Sequence, residues 1–367
     1  MMVPTLAQEG PPPMPELDGD IIVTGLNGPQ GVYVDSAGHL WIIDSGAGGD
    51  EEIEFVDPTT FEVIPASFGN SSVIMQMAPG EEAEVVATLP SVAVGQDFLG
   101  GARLVELDGA VYATVGVWQI NLGEEASLPL QAQVVRLEDG EAVTVADLWA
   151  HELAFNPDET DNLESHPYGI AAGPDGMLYV ADAAMNALVR VDPESGDVET
   201  VAVFEGMPGV FPNPFRDGEL IRDPVPTGVA FDADDNLYVS LLSGAPFMPG
   251  TASVMSVSAD GEVSEFATGM TMLTDLTYGP DGNLYAVQFG MFTEEGPVAN
   301  SGSVVRILPD GSVEVVIDGL PFATGIALDD DGNGYVTING IAIPEAGMVV
   351  YYEGLTTREG QPLGDAE

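Results

Sequence analysis

Gly173-Pro174-Asp175-Gly176-Met177-Leu178-Tyr179-Val180 is one copy of a unit that recurs along the chain. A second full copy is Gly279-Pro280-Asp281-Gly282-Asn283-Leu284-Tyr285-Ala286-Val287. Shorter ones are Asp35-Ser36-Ala37-Gly38-His39-Leu40-Trp41-Ile42, Asp234-Asp235-Asn236-Leu237-Tyr238-Val239 and Asp330-Asp331-Gly332-Asn333-Gly334-Tyr335-Val336. Leu107-Asp108-Gly109-Ala110-Val111-Tyr112-Ala113 is the weakest. A small-residue motif precedes each, in chain order Gln30-Gly31, Gly100-Gly101, Tyr168-Gly169, Thr227-Gly228, Thr274-Asp275 and Thr324-Gly325.

Each part has a physical reading. The glycine lets a strand pack closely against a neighbouring backbone. Asp-Gly supplies the positive φ of a tight hairpin. Leu-Tyr-Val is a second strand on a pleated surface. A third strand follows, as in Val134-Val135-Arg136-Leu137, Leu188-Val189-Arg190-Val191 and Val304-Val305-Arg306-Ile307, and then a fourth, as in residues 311–317. Six such units predict an all-β chain, a six-bladed β-propeller of four-stranded antiparallel blades. The end of the chain, Gly347 to Tyr352, is a third strand with no fourth, and residues 19–26 match the outer-strand pattern. An N-terminal strand is therefore expected to close the last blade. The expected division is a leader over 1–18, the propeller over 19–356 and a flexible tail over 357–367.

Composition narrows the chemistry. The 367 residues hold 60 acidic and 7 basic side chains, for a net charge of −53, and all seven basic residues are arginines. Nucleic acid and anionic membranes need a basic footprint that is missing here. Screening by salt would relieve the self-repulsion, so a high-salt habitat is the favoured reading, with diffuse binding of divalent cations as the other. Cysteine is absent, which excludes disulfides and thiolate chemistry. No apolar run is long enough for a membrane-spanning helix. Thr5-Leu6-Ala7-Gln8 reads as the tail of a signal peptide, so an extracellular, periplasmic or cell-surface location is expected.

Three of the arginines, Arg136, Arg190 and Arg306, share one strand position, where pairing with carboxylates at a blade edge is expected. Extra length at 57–98, 118–165 and 204–224 is expected on one face. Within it, Asp147 to Phe155 has helical spacing and reads as a short surface helix ended by Asn156-Pro157.

From Ala146 through Asn156-Pro157-Asp158 and Ser165-His166-Pro167-Tyr168-Gly169 to Leu188, the chain resembles the ScyD/ScyE family. So does the stretch from Phe211-Pro212-Asn213-Pro214-Phe215 to Ala245-Pro246-Phe247. The resemblance runs over about residues 20–352. It implies a secreted, NHL-like propeller and brings no catalytic residues with it.

Gluconolactonase-type propellers place a divalent metal on the axis, held by oxygen donors converging from several blades. Here the positions in question are Gln30, Gly100, Tyr168, Thr227, Thr274 and Thr324, and Asp275 alone brings a carboxylate. Asp275 reads as a structural aspartate or as a ligand at the channel mouth. His166, with Asp158 and Glu164 near it, is the candidate acid/base set, against a hydrogen-bonded loop histidine. Trp118, Trp149 and Tyr168 are candidates for an aromatic ligand site, against packing. Asp329, Asp331 and Asn333 begin like a calcium loop, but the twelfth position is Gly340, and a hairpin turn is the better reading. No cofactor is expected, with weak calcium binding at that turn as the alternative.

These observations favour a non-catalytic propeller that binds an unidentified protein or small molecule through its loop-bearing face. The alternatives are a metal-dependent hydrolase or lactonase on the axis, and an acidic surface protein that self-assembles. A monomer or a cation-dependent homo-oligomer fits these readings.

Overall fold

The computed structural model describes residues 14–56, 62–95, 97–120, 128–293, 296–341 and 343–364. Six antiparallel sheets of four or more strands follow one another around a ring. Their inner strands are, in order, Pro29–Val34, Gly101–Leu107, Pro167–Ala172, Pro226–Phe231, Leu273–Tyr278 and Gly325–Leu328. Each inner strand touches the next, and that of blade six touches that of blade one. The strand Asp20–Leu26 pairs with Gly347–Tyr352 and completes blade six, as the sequence predicts.

The apolar core is divided among the seams. Successive residues of one strand face opposite sides. Ile42 therefore packs toward blade six while Ile43 packs toward blade two. Val134 and Val135 divide the same way, as do Val304 and Val305. Strands covered on both faces need apolar residues at both parities, which is why these runs do not alternate. Leu26 of the closing strand enters the seam between blades six and one.

The recurrent Asp-Gly runs are hairpin turns. Gly38, Gly176, Gly282 and Gly332 take φ near +80° there. The turn carboxylate accepts backbone N–H groups and a bond from an aromatic residue of the next strand. Trp41 Nε1 donates to Asp35 at 2.8 Å, and the Tyr285 hydroxyl donates to Asp281 at 2.8 Å. Aspartate, glycine and aromatic thus form one local device, which accounts for their fixed spacing.

All these turns lie on one face, and the inner strands start at the other. That second face carries the described parts 116–120 and 128–132 of one long connection, and the connections 148–166 and 204–225. The 57–98 excess mostly widens blade one, whose sheet gains Glu51–Val56 and Asp97–Leu99. Residues 57–61, 96 and 121–127 of the expected insertions, 1–13 of the leader and 365–367 of the tail lie outside the described residues.

Helix α1, Leu148–Phe155, forms where expected, with Asp147 accepting the Ala150 N–H and Asn156 ending it in the left-handed region. Its outer side, with Ala150, Ala154 and Phe155, is exposed, while its inner side is buried more deeply than expected. Leu148, Trp149, His151 and Glu152 are buried, because the helix docks into the connection between blades two and three. Near the end of the chain, Gln361–Pro362 pairs with the outer strand of blade five. Arg358 there meets Asp18 at 3.0 Å.

Arg190 pairs with Glu199 at 2.7 Å, Arg306 with Glu314, and Arg136 with Glu138. Each faces a tyrosine across the sheet: Tyr179, Tyr285 and Tyr112.

Candidate functional site: the plugged axis and its aromatic column

The inner strands approach so closely that four of them need glycine at one position. A Cβ on Gly31 would lie 2.8 Å from the Ala102 carbonyl oxygen, and one on Gly169 would lie 2.2 Å from that of Thr227. Gly228 and Gly325 are equally confined. Threonine and serine hydroxyls then tie blade to blade. Thr324 donates to Pro29 O at 2.6 Å, Thr227 to Leu273 O at 2.8 Å, Thr114 to Tyr168 O at 2.7 Å and Ser45 to Gly101 O at 3.1 Å.

In blade two the structure corrects the alignment. A bulge sets Gly101 opposite Val115 and Leu104 opposite Ala113. In blade three, Pro167 opposite Asp182 and Ile170 opposite Val180 hold the corresponding pairings, with Gly169 just before Ile170. The axial position expected at Gly100 therefore belongs to Ala102, and Arg103 stands where other blades have glycine. The extra glycine, Gly100, shifted the reading. Asp275 holds the same position in blade five, as its replacement of the glycine implied.

Arg103 fills the axis. Its Nε lies 3.2 Å from Asp275 Oδ1. Nη2 donates to Thr274 O at 2.5 Å and Thr324 O at 2.8 Å. Nη1 donates to Ala102 O at 3.0 Å and to Gln30 O. The guanidinium lies over the Tyr168 ring, 4.5 Å from its centroid, a cation–π geometry. Asp275 also accepts the N–H groups of Ile326 at 2.9 Å and Leu276 at 3.0 Å. Burial pushes the Asp275 carboxyl up, and Arg103 pulls it part of the way back. Burial would lower the guanidinium, but Asp275 and Tyr168 more than offset it, so Arg103 stays charged.

The sequence-selected aromatics continue from this pair toward the loop-bearing face. Tyr168 donates its hydroxyl to Gln30 Oε1 at 2.7 Å. His166 stacks on Tyr168 with centroids 5.8 Å apart, and Trp118 meets His166 edge-on at 4.9 Å. Trp118 Nε1 donates to Glu164 at 3.2 Å. Four candidates, Trp118, His166, Tyr168 and Asp275, are thus parts of one column with Arg103. Trp149 is buried in α1 and makes no ring contact with that column among the described residues. Burial pulls the His166 imidazole down to about 4, so it is neutral at pH 7.

A set of buried carboxyls lies beside the column. Glu152 is fully buried, and its Oε1 accepts the Glu164 N–H at 3.3 Å. Burial, reinforced by Asp182 and Asp158, pushes it up to about 9. Burial and Asp223 push Glu164 up to about 8. Asp182 is raised by burial to about 6 while accepting bonds from Ser165 and the His166 N–H. Asp158 accepts from Asn186 at 2.8 Å and lies 3.8 Å from Arg216. The acid/base candidates Asp158, Glu164 and His166 are therefore neighbours, engaged in holding loops.

Asp329 accepts the Asp331 and Asn333 N–H groups and the Asn333 amide at 2.9 Å, and Asn333 Oδ1 accepts from Gly354. This is the bonding of Asp232 and Asn236 in the blade-four turn. Among the described residues, no three histidine or acidic side chains are placed to hold a metal ion.

Residues 167–342 match the family model described as SMP-30/Gluconolactonase/LRE-like region, and the fold is that of a six-bladed propeller. A gluconolactonase from Xanthomonas campestris is 11% identical, with 90% of this chain and 88% of that one covered and a TM-score of 0.53. Regucalcin from Agrobacterium tumefaciens C58, described as calcium-binding, is 12% identical, with 94% and 95% covered and a TM-score of 0.52. Virginiamycin B lyase from Staphylococcus aureus is 14% identical, with 92% and 99% covered and a TM-score of 0.50. At these identities the likeness shows the fold alone. No curated protein matches the chain.

An axial divalent cation of the kind such propellers imply does not fit here. The axial space between the inner strands holds the Arg103 guanidinium, and the Asp275 carboxylate there is already paired with it. A second positive charge in that buried space would be repelled by the first.

Proposed function

We propose that this protein is an exported, non-catalytic propeller that binds a partner through its loop-bearing face. The observation that carries the reading is the Arg103–Asp275 plug, which supports it because the one carboxylate at the axial positions is already paired with a guanidinium. The ScyD/ScyE resemblance supports export.

The binding surface we assign is the neighbouring pair of connections 148–166 and 204–225, joined by Arg216 to Asp158 and Asp223. Phe155 (69% exposed), Val210 (50%), Phe211 (57%) and Leu220 (57%) present apolar surface there. Exposed large apolar groups within a charged surround mark interaction sites. The surrounding charge is negative, so complementarity favours a partner with apolar and basic side chains.

The test has two arms. Lactone hydrolysis is measured with calcium, magnesium, manganese and zinc, for the wild type and Asp275→Asn. None is expected, and metal-dependent turnover lost in D275N would overturn the reading. Binding of a basic amphipathic peptide is then compared between wild type and the Phe155→Ser/Phe211→Ser/Leu220→Ser variant. A fall of ~10-fold or more in affinity is expected; equal affinity would remove this face as the binding surface.

A further inference from the structure

The oxygens around Arg103 form a cage drawn from several blades. Gln30 O comes from blade one, Ala102 O from blade two, Thr274 O from blade five and Thr324 O from blade six. Asp275 adds a carboxylate, and Tyr168 of blade three adds the face of its ring. Every one of these groups presents negative charge or potential to the same small volume. They converge because the glycine positions let the inner strands crowd the axis. Left facing one another without donors, they would be buried and unpaired, which is strongly unfavourable. A neutral plug of the same size would fill the space and leave that penalty in place.

We propose that this cage is a guanidinium-binding site and that Arg103 is its resident cation, carried by the chain itself. Its planar fork of donors suits carbonyls arriving from several directions. The proposal shares with the proposed function only the position of Arg103, and the two can fail separately. Lactone turnover would overturn the function, whereas an uncharged plug that serves as well as arginine would overturn this assignment.

The test restores the residue found at this position in blades one, three, four and six. Arg103→Gly should melt well below the wild type. Guanidinium chloride at millimolar concentration should raise its Tm saturably, by ~3 °C or more over sodium chloride at equal ionic strength, since a ligand bound only by the folded state stabilises it by mass action. The wild type should show no such difference between the two salts. Calcium chloride at matched ionic strength should not reproduce the gain, and the Arg103→Gly/Asp275→Asn variant should lose it.

Arg103→Met fills the cage without charge and is expected to stay destabilised and unresponsive. An R103M protein melting within ~1 °C of the wild type overturns the proposal. So does an R103G protein that gains no more from guanidinium than from sodium or calcium. If R103G does not fold, R103M decides the matter alone.

Discussion

Arg103 and Asp275 occupy the same strand position in blades two and five, three blades apart on a ring of six, and meet across the axis with Nε 3.2 Å from Oδ1. Both side chains are buried. Removing one member of such a pair leaves the other charged and unpaired, which costs about 3–5 kcal/mol. Arg103→Met and Asp275→Asn should each lose stability on that scale in chemical denaturation. The double variant should lose clearly less than their sum, because neither charge is then stranded. Strict additivity would contradict the pairing.

Glu152 and Glu164 set a slope in alkaline solution. Their folded values, about 9 and about 8, lie above those of the unfolded chain. Between roughly pH 4.5 and 9 the folded state therefore holds protons that the unfolded state has released. Stability must fall as pH rises through that window. Glu152→Gln should flatten the decline in Tm between pH 6 and pH 9. An unchanged slope would show that Glu152 does not hold its proton.

His166 acts in the opposite sense. Its folded value, about 4, lies below the unfolded one. It contributes stability above roughly pH 6.5, and that contribution is lost as pH falls toward 4. His166→Gln should remove an acid-side loss and leave the alkaline limb in place. Two-dimensional NMR of the imidazole should show a neutral ring at pH 6; a charged ring there would refute the assignment.

Net charge predicts a salt response. A chain carrying −53 repels itself in the compact state. Sodium chloride raised from 0.05 to 2 M, a range over which the screening length shrinks from beyond 10 Å to below 3 Å, should raise Tm continuously in scanning calorimetry. A flat response would contradict a surface dominated by repulsion.

Most of the fold was legible because its determinants are local. The Asp175–Gly176–Tyr179 device and its copies fix turn and strand within eight residues, and the unpaired outer-strand pattern at 19–26 announced the ring closure. Asp275 was visible as a departure from glycine. Arg103 was not, since the doubled glycine at 100–101 hid a bulge that only strand pairing reveals. Glu152 was hidden for a related reason. Helical spacing marked α1, but its depth depends on the connections packed over it, which are distant in sequence. His166, Tyr168 and Trp118 were found as residues, while their order in one column depends on how three blades meet.

The placement of the seven arginines has a practical consequence. With no lysine in the chain, they are the sole positions at which trypsin cuts. Five lie within strands, at Arg103, Arg136, Arg190, Arg222 and Arg306, and the other two, Arg216 and Arg358, are held in ion pairs. A protease needs several residues of extended, unpaired chain, so the folded ring offers it little. Digestion by trypsin should therefore count unfolded molecules, releasing a few large fragments only as the blades come apart.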